Sequence, residues 1–165
     1  MIRRARLDDV PEIRDLINTH AELQKMLFRS LADLYSAVRD FQVAELDGQV
    51  VGCCALEIVW KDLAEIKSLS VASGHQGQGL GKALVEAVIA EGRDLHIPRL
   101  FCLTLEQRFF ERLGFEKVPM DTLPMKVWTD CVRCSKQANC DEIAMVLKLD
   151  AVPPEITPRK SLDQF

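Results

Sequence analysis

At 165 residues, 48% apolar and 28% charged, the chain has the make-up of one soluble globular domain, large enough to bury a core without disulfide or metal staples. A net charge of −4 excludes a broad basic face for sequence-independent nucleic-acid binding. No apolar run is long enough to span a membrane, the first residues turn acidic without a signal-peptide core, and six cysteines without an export signal point to thiols in the cytoplasm.

In chain order, IRRARL reads as a strand and DDVPEIRDLIN as a helix, with Asp8 or Asp9 as cap and Pro11 in the first turn. Leu23, Leu27, Leu31, Leu34 and Val38 fall at helical spacing, which predicts a second helical region over 20–38. FQVAEL and VVGCCALEIVW flank DGQ, a hairpin signal. LAEIKSLSV is a further strand. Leu80, Leu84, Val88 and Leu95 mark the next helix, RLFCLTL a strand, and EQRFFERLGF a short helix stopped at Gly114. Residues 119–140 are irregular and carry cysteines. EIAMVLKL is the last strand, and the proline-bearing stretch 151–165 is a tail behind a single domain over 1–150. The order β-α-α-β-β-β-α-β-α-β-β implies an α/β (α+β) fold with a mixed, largely antiparallel sheet flanked by helices.

Where the strand ending at Val71 hands over to the helix at Leu80, the chain places Gly77, Gly79 and Gly81. A helix N-terminus has four unpartnered N–H groups and a positive dipole end, so it suits phosphate oxygens, and glycines let an anion approach the amides. A bare turn without ligand is the competing reading. Two other phosphate loops do not fit. Lys82 is followed by Ala83 rather than Ser or Thr, and the evenly spaced glycines break the dinucleotide pattern.

Gln76-Gly77-Gln78-Gly79-Leu80-Gly81 fits the pattern Arg/Gln-x-x-Gly-x-Gly/Ala and resembles the acetyl-CoA pyrophosphate loop of the GNAT acetyltransferase superfamily. AEIKSLSV before it and RFFERLGF after it resemble that family's fourth strand and its short helix and turn. The resemblance spans Met1 to Leu149. It implies acetyl-CoA as cosubstrate, held by Gln76, Gly77, Gln78, Gly79, Leu80, Gly81 and Lys82, with Leu69 and Val71 pairing with the pantetheine arm. It implies Glu65 as the base that draws the amine proton, Glu57 as runner-up, and the Leu69 N–H as oxyanion donor. The family often places a tyrosine before E-x-x-G-F as proton donor. Phe110 stands there and cannot donate, which leaves water, Ser68, Ser135 or a cysteine.

Three stretches narrow the acceptor. MLFRSLADLYSAVRDFQVAELDGQVVGCCAL, LTLEQRFFERLGF and LPMKVWTDCVRCSKQ resemble the acetyltransferase domain of N-acetylglutamate synthases. That implies L-glutamate as acceptor, the first step of arginine synthesis, in a stand-alone short form and as a homodimer. Two carboxylates on the acceptor suit arginine forks. Arg29 with Ser30, and Arg133 with Ser135, are the expected substrate-binding groups, with Lys67, Lys126 and Lys136 secondary and each more simply a surface charge. His20, His75 and His96 receive no catalytic role. Cys131, Cys134, Cys140 and Asp141 form an incomplete zinc pattern, so no metal is expected, and Cys53, Cys54 and Cys102 are core residues. No nucleophile–base pair is visible, which implies direct transfer in a ternary complex. Acetylation of another small amine or a protein N-terminus, and a non-catalytic acyl-CoA-binding module, are the alternatives.

Overall fold

A computed structural model describes residues 1–22, 28–124 and 142–149. The strands are β1 Ile2–Arg4, β2 Phe41–Leu46, β3 Gln49–Trp60, β4 Leu63–Val71, β5 Arg99–Thr104, β6 Glu116–Val118 and β7 Ile143–Lys148. The helices are α1 Val10–Glu22, α2 Leu31–Ser36, α3 Leu80–Asp94 and α4 Gln107–Glu111. All the described strands join one sheet in the order β1-β2-β3-β4-β5-β7-β6, so the mixed, largely antiparallel sheet expected from the element order is the architecture found. β4 and β5 are the parallel pair, and α3 makes the crossover that such a pair needs.

The hairpin at DGQ forms with both Asp47 (φ 51) and Gly48 (φ 78) left-handed, the backbone that matches the twist of the flanking strands. Asp9 does not cap the helix that follows it in the simple way the sequence suggests. It lies in a short 3-10 turn, Leu7–Asp9, and its carboxylate accepts from the Arg6 N–H and from Arg3. The single helical region expected over 20–38 is not one helix. α1 runs to Glu22, residues 28–30 are non-helical, and Ser30 starts α2 by accepting from the Asp33 N–H at 3.2 Å. Leu23 and Leu27 lie outside the described residues. Leu95 falls beyond α3 and is exposed, so the stripe that α3 buries is Leu84, Val85, Val88 and Ile89.

That stripe packs against Leu56, Ala64, Ile66 and Leu100 on one face of the sheet. On the other face, Val10, Ile13 and Ile17 of α1 and Leu34 of α2 cover Val43, Cys53 and Ala55. Each such aliphatic side chain contributes about 1.5–3 kcal/mol on burial. α1 and α3 are thereby fixed relative to β4, whose two faces carry the candidate site. Among the described residues no helix is long and apolar enough to cross a membrane.

Candidate active site

β4 and β5 pair at only two positions, Ala64 with Leu100 and Glu65 with Phe101. Beyond Glu65 the stretch of β4 from Ile66 to Val71 has β3 on one side and no paired strand on the other. The sheet opens there. The Ala72 N–H bonds the Val51 carbonyl, so the neighbouring Val71 carbonyl turns away from β3, where the Gln76 side-chain amide donates to it at 3.1 Å.

β4 also carries a bulge. Lys67 pairs with Ala55 and Ser70 with Cys53, three steps on β4 against two on β3. The extra residue is accommodated at Ser68, whose φ of 56 is left-handed. The bulge resets which face each side chain uses. Ile66, Leu69 and Val71 all lie with the cluster on the α3 side. Lys67 and Ser68, although adjacent, both serve the opposite face: Lys67 meets Glu57 and Glu65, and Ser68 receives Arg29.

On that face Glu65 is buried and lies directly across the β3–β4 pairing from Glu57. The Lys67 ammonium is 2.7 Å from the Glu57 carboxylate and 3.9 Å from that of Glu65, so one cation bridges two acids. The Arg29 Nη1 donates to Ser68 Oγ at 3.3 Å, and its guanidinium sits 5.4 Å from the Phe41 ring centroid. Asn18 holds the Arg29 main-chain N–H through Oδ1 at 3.2 Å. Burial, then the nearby Glu57, pushes the Asp40 carboxyl above the usual range, with Arg29 pulling it back. Burial, then the nearby Glu65, pushes the Cys102 thiol well up. Ser70 Oγ lies 2.7 Å from His20 Nδ1 and donates to the Leu16 carbonyl at 3.1 Å, which ties the end of α1 to β4.

At the open end of the cleft the chain turns through Ser73–His75 into the glycine loop. Gly77 (φ 77) and Gly79 (φ 82) are left-handed, and a Cβ added to either would meet nothing within 4 Å. Gly79 begins α3 with no side-chain cap. The Ala83 N–H is bonded to the Gly79 carbonyl at 3.0 Å, so the N–H groups of Leu80, Gly81 and Lys82 have no intrahelical partner. The loop thus presents uncapped amides beside open space, as an anion cradle requires.

Residues 7–115 match the model of the Acetyltransferase (GNAT) family. The chain belongs to the GNAT acetyltransferase family. It is 40% identical to an uncharacterized N-acetyltransferase of Chlorobaculum tepidum over 90% of this chain and 96% of that one. It is 38% identical to the amino-acid acetyltransferase of Mycobacterium tuberculosis over 94% and 88% of the two chains. Among solved structures, Rv2747 from Mycobacterium tuberculosis in complex with CoA and NLQ superposes with a TM-score of 0.80 at 36% identity, over 90% of this chain and 99% of that one. N-acetylglutamate synthase from Neisseria gonorrhoeae, complexed with coenzyme A and N-acetyl-glutamate, superposes with a TM-score of 0.81 at 31% identity; the match takes in 90% of this chain and 35% of that one.

In this acetyltransferase, Glu65, Lys67, Ser68 and Arg29 come together on one face of the opened sheet, while Leu69, Val71 and the loop from Gln76 to Lys82 line the other side of the same opening. Ser30 is exposed, with its hydroxyl engaged as the α2 cap. Arg133, Ser135, Lys126, Lys136 and the cysteine group Cys131, Cys134, Cys140 with Asp141 lie outside the described residues. Lys67 is no solvated surface charge: its side chain is 18% exposed and paired. Phe110 is buried, edge-on to Phe109 and Phe115 at 5.0 and 5.2 Å, so the place where the family often carries a tyrosine is part of the core here. Phe109 is the ring that reaches the loop, within 3.7 Å of where a Gly81 Cβ would stand. Asp40 had no signal in the residue pattern, since it belongs to no motif and reaches the site through the fold; Phe109 lies within RFFERLGF, but nothing in that stretch says which of its two adjacent phenylalanines turns to the loop.

Proposed function

We propose that this acetyltransferase moves the acetyl group of acetyl-CoA onto the α-amine of L-glutamate. The observation that carries the reading is the opening between β4 and β5, with Glu65 at its closed end and the uncapped amides of Leu80, Gly81 and Lys82 at its mouth. A thioester carried on a long amide-bearing arm suits such an opening: its diphosphate meets the loop, and its amides meet the free edge of β4 at Leu69 and Val71. Gln76 is placed to yield the Val71 carbonyl to that arm.

Direct transfer then needs few groups. Glu65 takes the proton from the acceptor ammonium, directly or through water, and frees the nitrogen lone pair. The nitrogen forms a bond to the thioester carbon. The carbonyl oxygen gathers negative charge, which the Leu69 N–H meets; the alternation that turns the Val71 main chain away from β3 supports that orientation for Leu69 as well. The carbon–sulfur bond breaks, the new amide nitrogen gives its second proton to water, and the CoA thiolate takes a proton back from water, since Phe110 has none to give. Arg29, beside Ser68 and Phe41, is the described cation suited to an acceptor carboxylate, with Ser30, Arg133 and Ser135 as the further proposed contacts. Two similar proteins, an amino-acid acetyltransferase and an N-acetylglutamate synthase complexed with N-acetyl-glutamate, support an amino-acid acceptor; with L-glutamate as that acceptor, the reaction is the proposed first step of arginine synthesis.

The test is thiol release from acetyl-CoA across a panel of amino acids and simple amines. Saturable release with L-glutamate, above L-glutamine, L-aspartate and non-carboxylate amines, is the expected result. Faster release with another acceptor would move the assignment to that amine, and release with none would sink it.

A further inference from the structure

Acids crowd the face of the sheet on which Glu65 lies. Glu57 stands directly across the β3–β4 pairing from it, and Asp40, just ahead of β2, is close enough for the Glu57 charge to push its carboxyl up. Side chains directly opposite on neighbouring strands have Cβ atoms about 4.5–5.5 Å apart, so two ionised carboxylates placed there repel each other. The Glu65 side chain is also the more buried of the two. Burial and the like charge therefore both oppose an ionised Glu65. A carboxyl that keeps its proton cannot take one from an ammonium.

Lys67 offsets both effects. It lies two residues beyond Glu65 on β4, opposite Ala55, whose short side chain leaves the lysine stem room to lean diagonally toward Glu57. Its ammonium reaches 2.7 Å from the Glu57 carboxylate and 3.9 Å from that of Glu65. A compact charge on a flexible stem can serve two acids at once. The other described charged and titratable groups nearby are otherwise engaged or carry the wrong sign. Arg29 turns its guanidinium to Ser68 and the Phe41 ring. His20 meets Ser70 and the Leu16 carbonyl, farther along β4. Cys102, on the neighbouring β5, is a buried thiol that burial keeps protonated, and Glu142 beside it adds negative charge.

We propose that Lys67 is a positioning residue for the base: it holds the Glu65 carboxylate ionised against the like charge of Glu57, and so sets the pH below which acetyl transfer fails. The inference rests on the reading of Glu65 as base. Its test compares the unaltered full chain with Lys67→Met, Lys67→Arg and the double variant Lys67→Met with Glu57→Gln. Two readouts are taken. One is kcat/KM against pH, at saturating acetyl-CoA and with the acceptor that the thiol-release panel selects. The other is the titration of the Glu65 side-chain carboxyl by 13C NMR, with no acceptor and no turnover, its signal identified by its loss in Glu65→Gln. In Lys67→Met, the acid limb of the rate profile and the Glu65 titration both move up by about one pH unit or more, and the rate recovers toward the native value at high pH. Lys67→Arg keeps the charge and leaves both near their native positions. The double variant moves both back toward native, a rescue that a merely structural role for the stem would not produce. An unmoved Glu65 titration in Lys67→Met overturns the hold of Lys67 on Glu65 and leaves the base reading standing; so does a rate loss equal at every pH. A titration that moves while the acid limb stays overturns Glu65 as base, and the pH limit with it.

Discussion

The Cys53 thiol donates to the Ser68 carbonyl at 3.4 Å, across the β3–β4 pairing and at the point where β4 carries its extra residue. A bulge interrupts the ladder and leaves main-chain groups without a strand partner. Here a fully buried side chain takes one of them. Burial pushes the thiol up to about 12, with Arg29 pulling it back. It therefore keeps its proton at neutral pH and stays a donor. The bulge it supports is what lets Lys67 and Ser68 share one face while Leu69 keeps the other.

Replacing Cys53 by alanine leaves that half-buried carbonyl without its donor and removes the sulfur from a packed cluster. A loss of about 1–3 kcal/mol is expected. Cys53→Ser restores a donor on a shorter reach and should recover part of it. Thermal melting of the three proteins should rank them Cys, then Ser, then Ala, and turnover should fall in the same order, because the bulge orients the main chain at Leu69. Equal melting of the alanine and native proteins would mean that the bulge stands without the thiol.

The loop glycines separate conformation from ligand contact. Gly79→Ala forces a side chain into a left-handed position, at a cost of about 1 kcal/mol or more, and weakens CoA binding with it. Gly81 is different. It lies in the first turn of α3 without a positive φ, and its added Cβ would rest 3.7 Å from Phe109 in ordinary contact. Gly81→Ala should hold or raise the melting temperature, since alanine is the better helix former. It should nonetheless lower CoA affinity, because the new methyl group stands beside an amide proposed for the diphosphate. Opposite signs in the melt and in the CoA titration are the expected signature; unchanged CoA affinity would move the diphosphate away from this turn.

What the residues made legible follows from what is local. Asp47 and Gly48 encode their turn, Leu84 and Val88 their helix face, and Gly79 its left-handed start, so the hairpin, α3 and the loop could be placed from the chain alone. The heptad-like row of leucines over 20–38 misled, because spacing says nothing of Ser30, whose hydroxyl starts a new helix. The bulge at Ser68 was illegible too: no glycine marks it, and only the register against Cys53 and Ala55 reveals it. Lys67 looked like a surface charge because its two carboxylate partners are a strand away or two residues back.

Asp9 links pH to stability. Its carboxylate takes Arg3 at 2.8 and 2.9 Å and the Arg6 N–H at 2.7 Å, while Arg3 also reaches Glu45 at 2.6 Å. The Arg3 guanidinium holds the Asp9 carboxyl below its usual range against the opposing effect of burial. A group depressed on folding stabilises fully above its unfolded pKa, near 4, and loses that contribution as pH falls through the lower folded value. Asp9→Asn should therefore lower the melting temperature at pH 7, by an amount corresponding to about 1–2 kcal/mol. The gap between the two proteins should narrow steadily from about pH 5 downward. A gap that is constant with pH would mean that packing, and not the charge, holds this corner.

Glu65 and Glu57 face each other across β3 and β4 and share Lys67, yet they differ in exposure: the Glu65 side chain is 12% exposed and that of Glu57 is 47%. A proton acceptor for a buried amine must itself stand where water is scarce, which favours Glu65. Glu65→Gln should lower kcat by about 10²–10⁴-fold while CoA affinity, measured by calorimetry, stays within about twofold. The residual rate should climb with pH, because an amine that is already neutral needs no base. Glu57→Gln keeps the proposed base but frees Lys67 from its closer partner, so its effect should fall mainly on the KM for the acceptor. A kcat loss at Glu57 as large as that at Glu65, or a Glu65→Gln rate that is flat in pH, would transfer the role of base to another group.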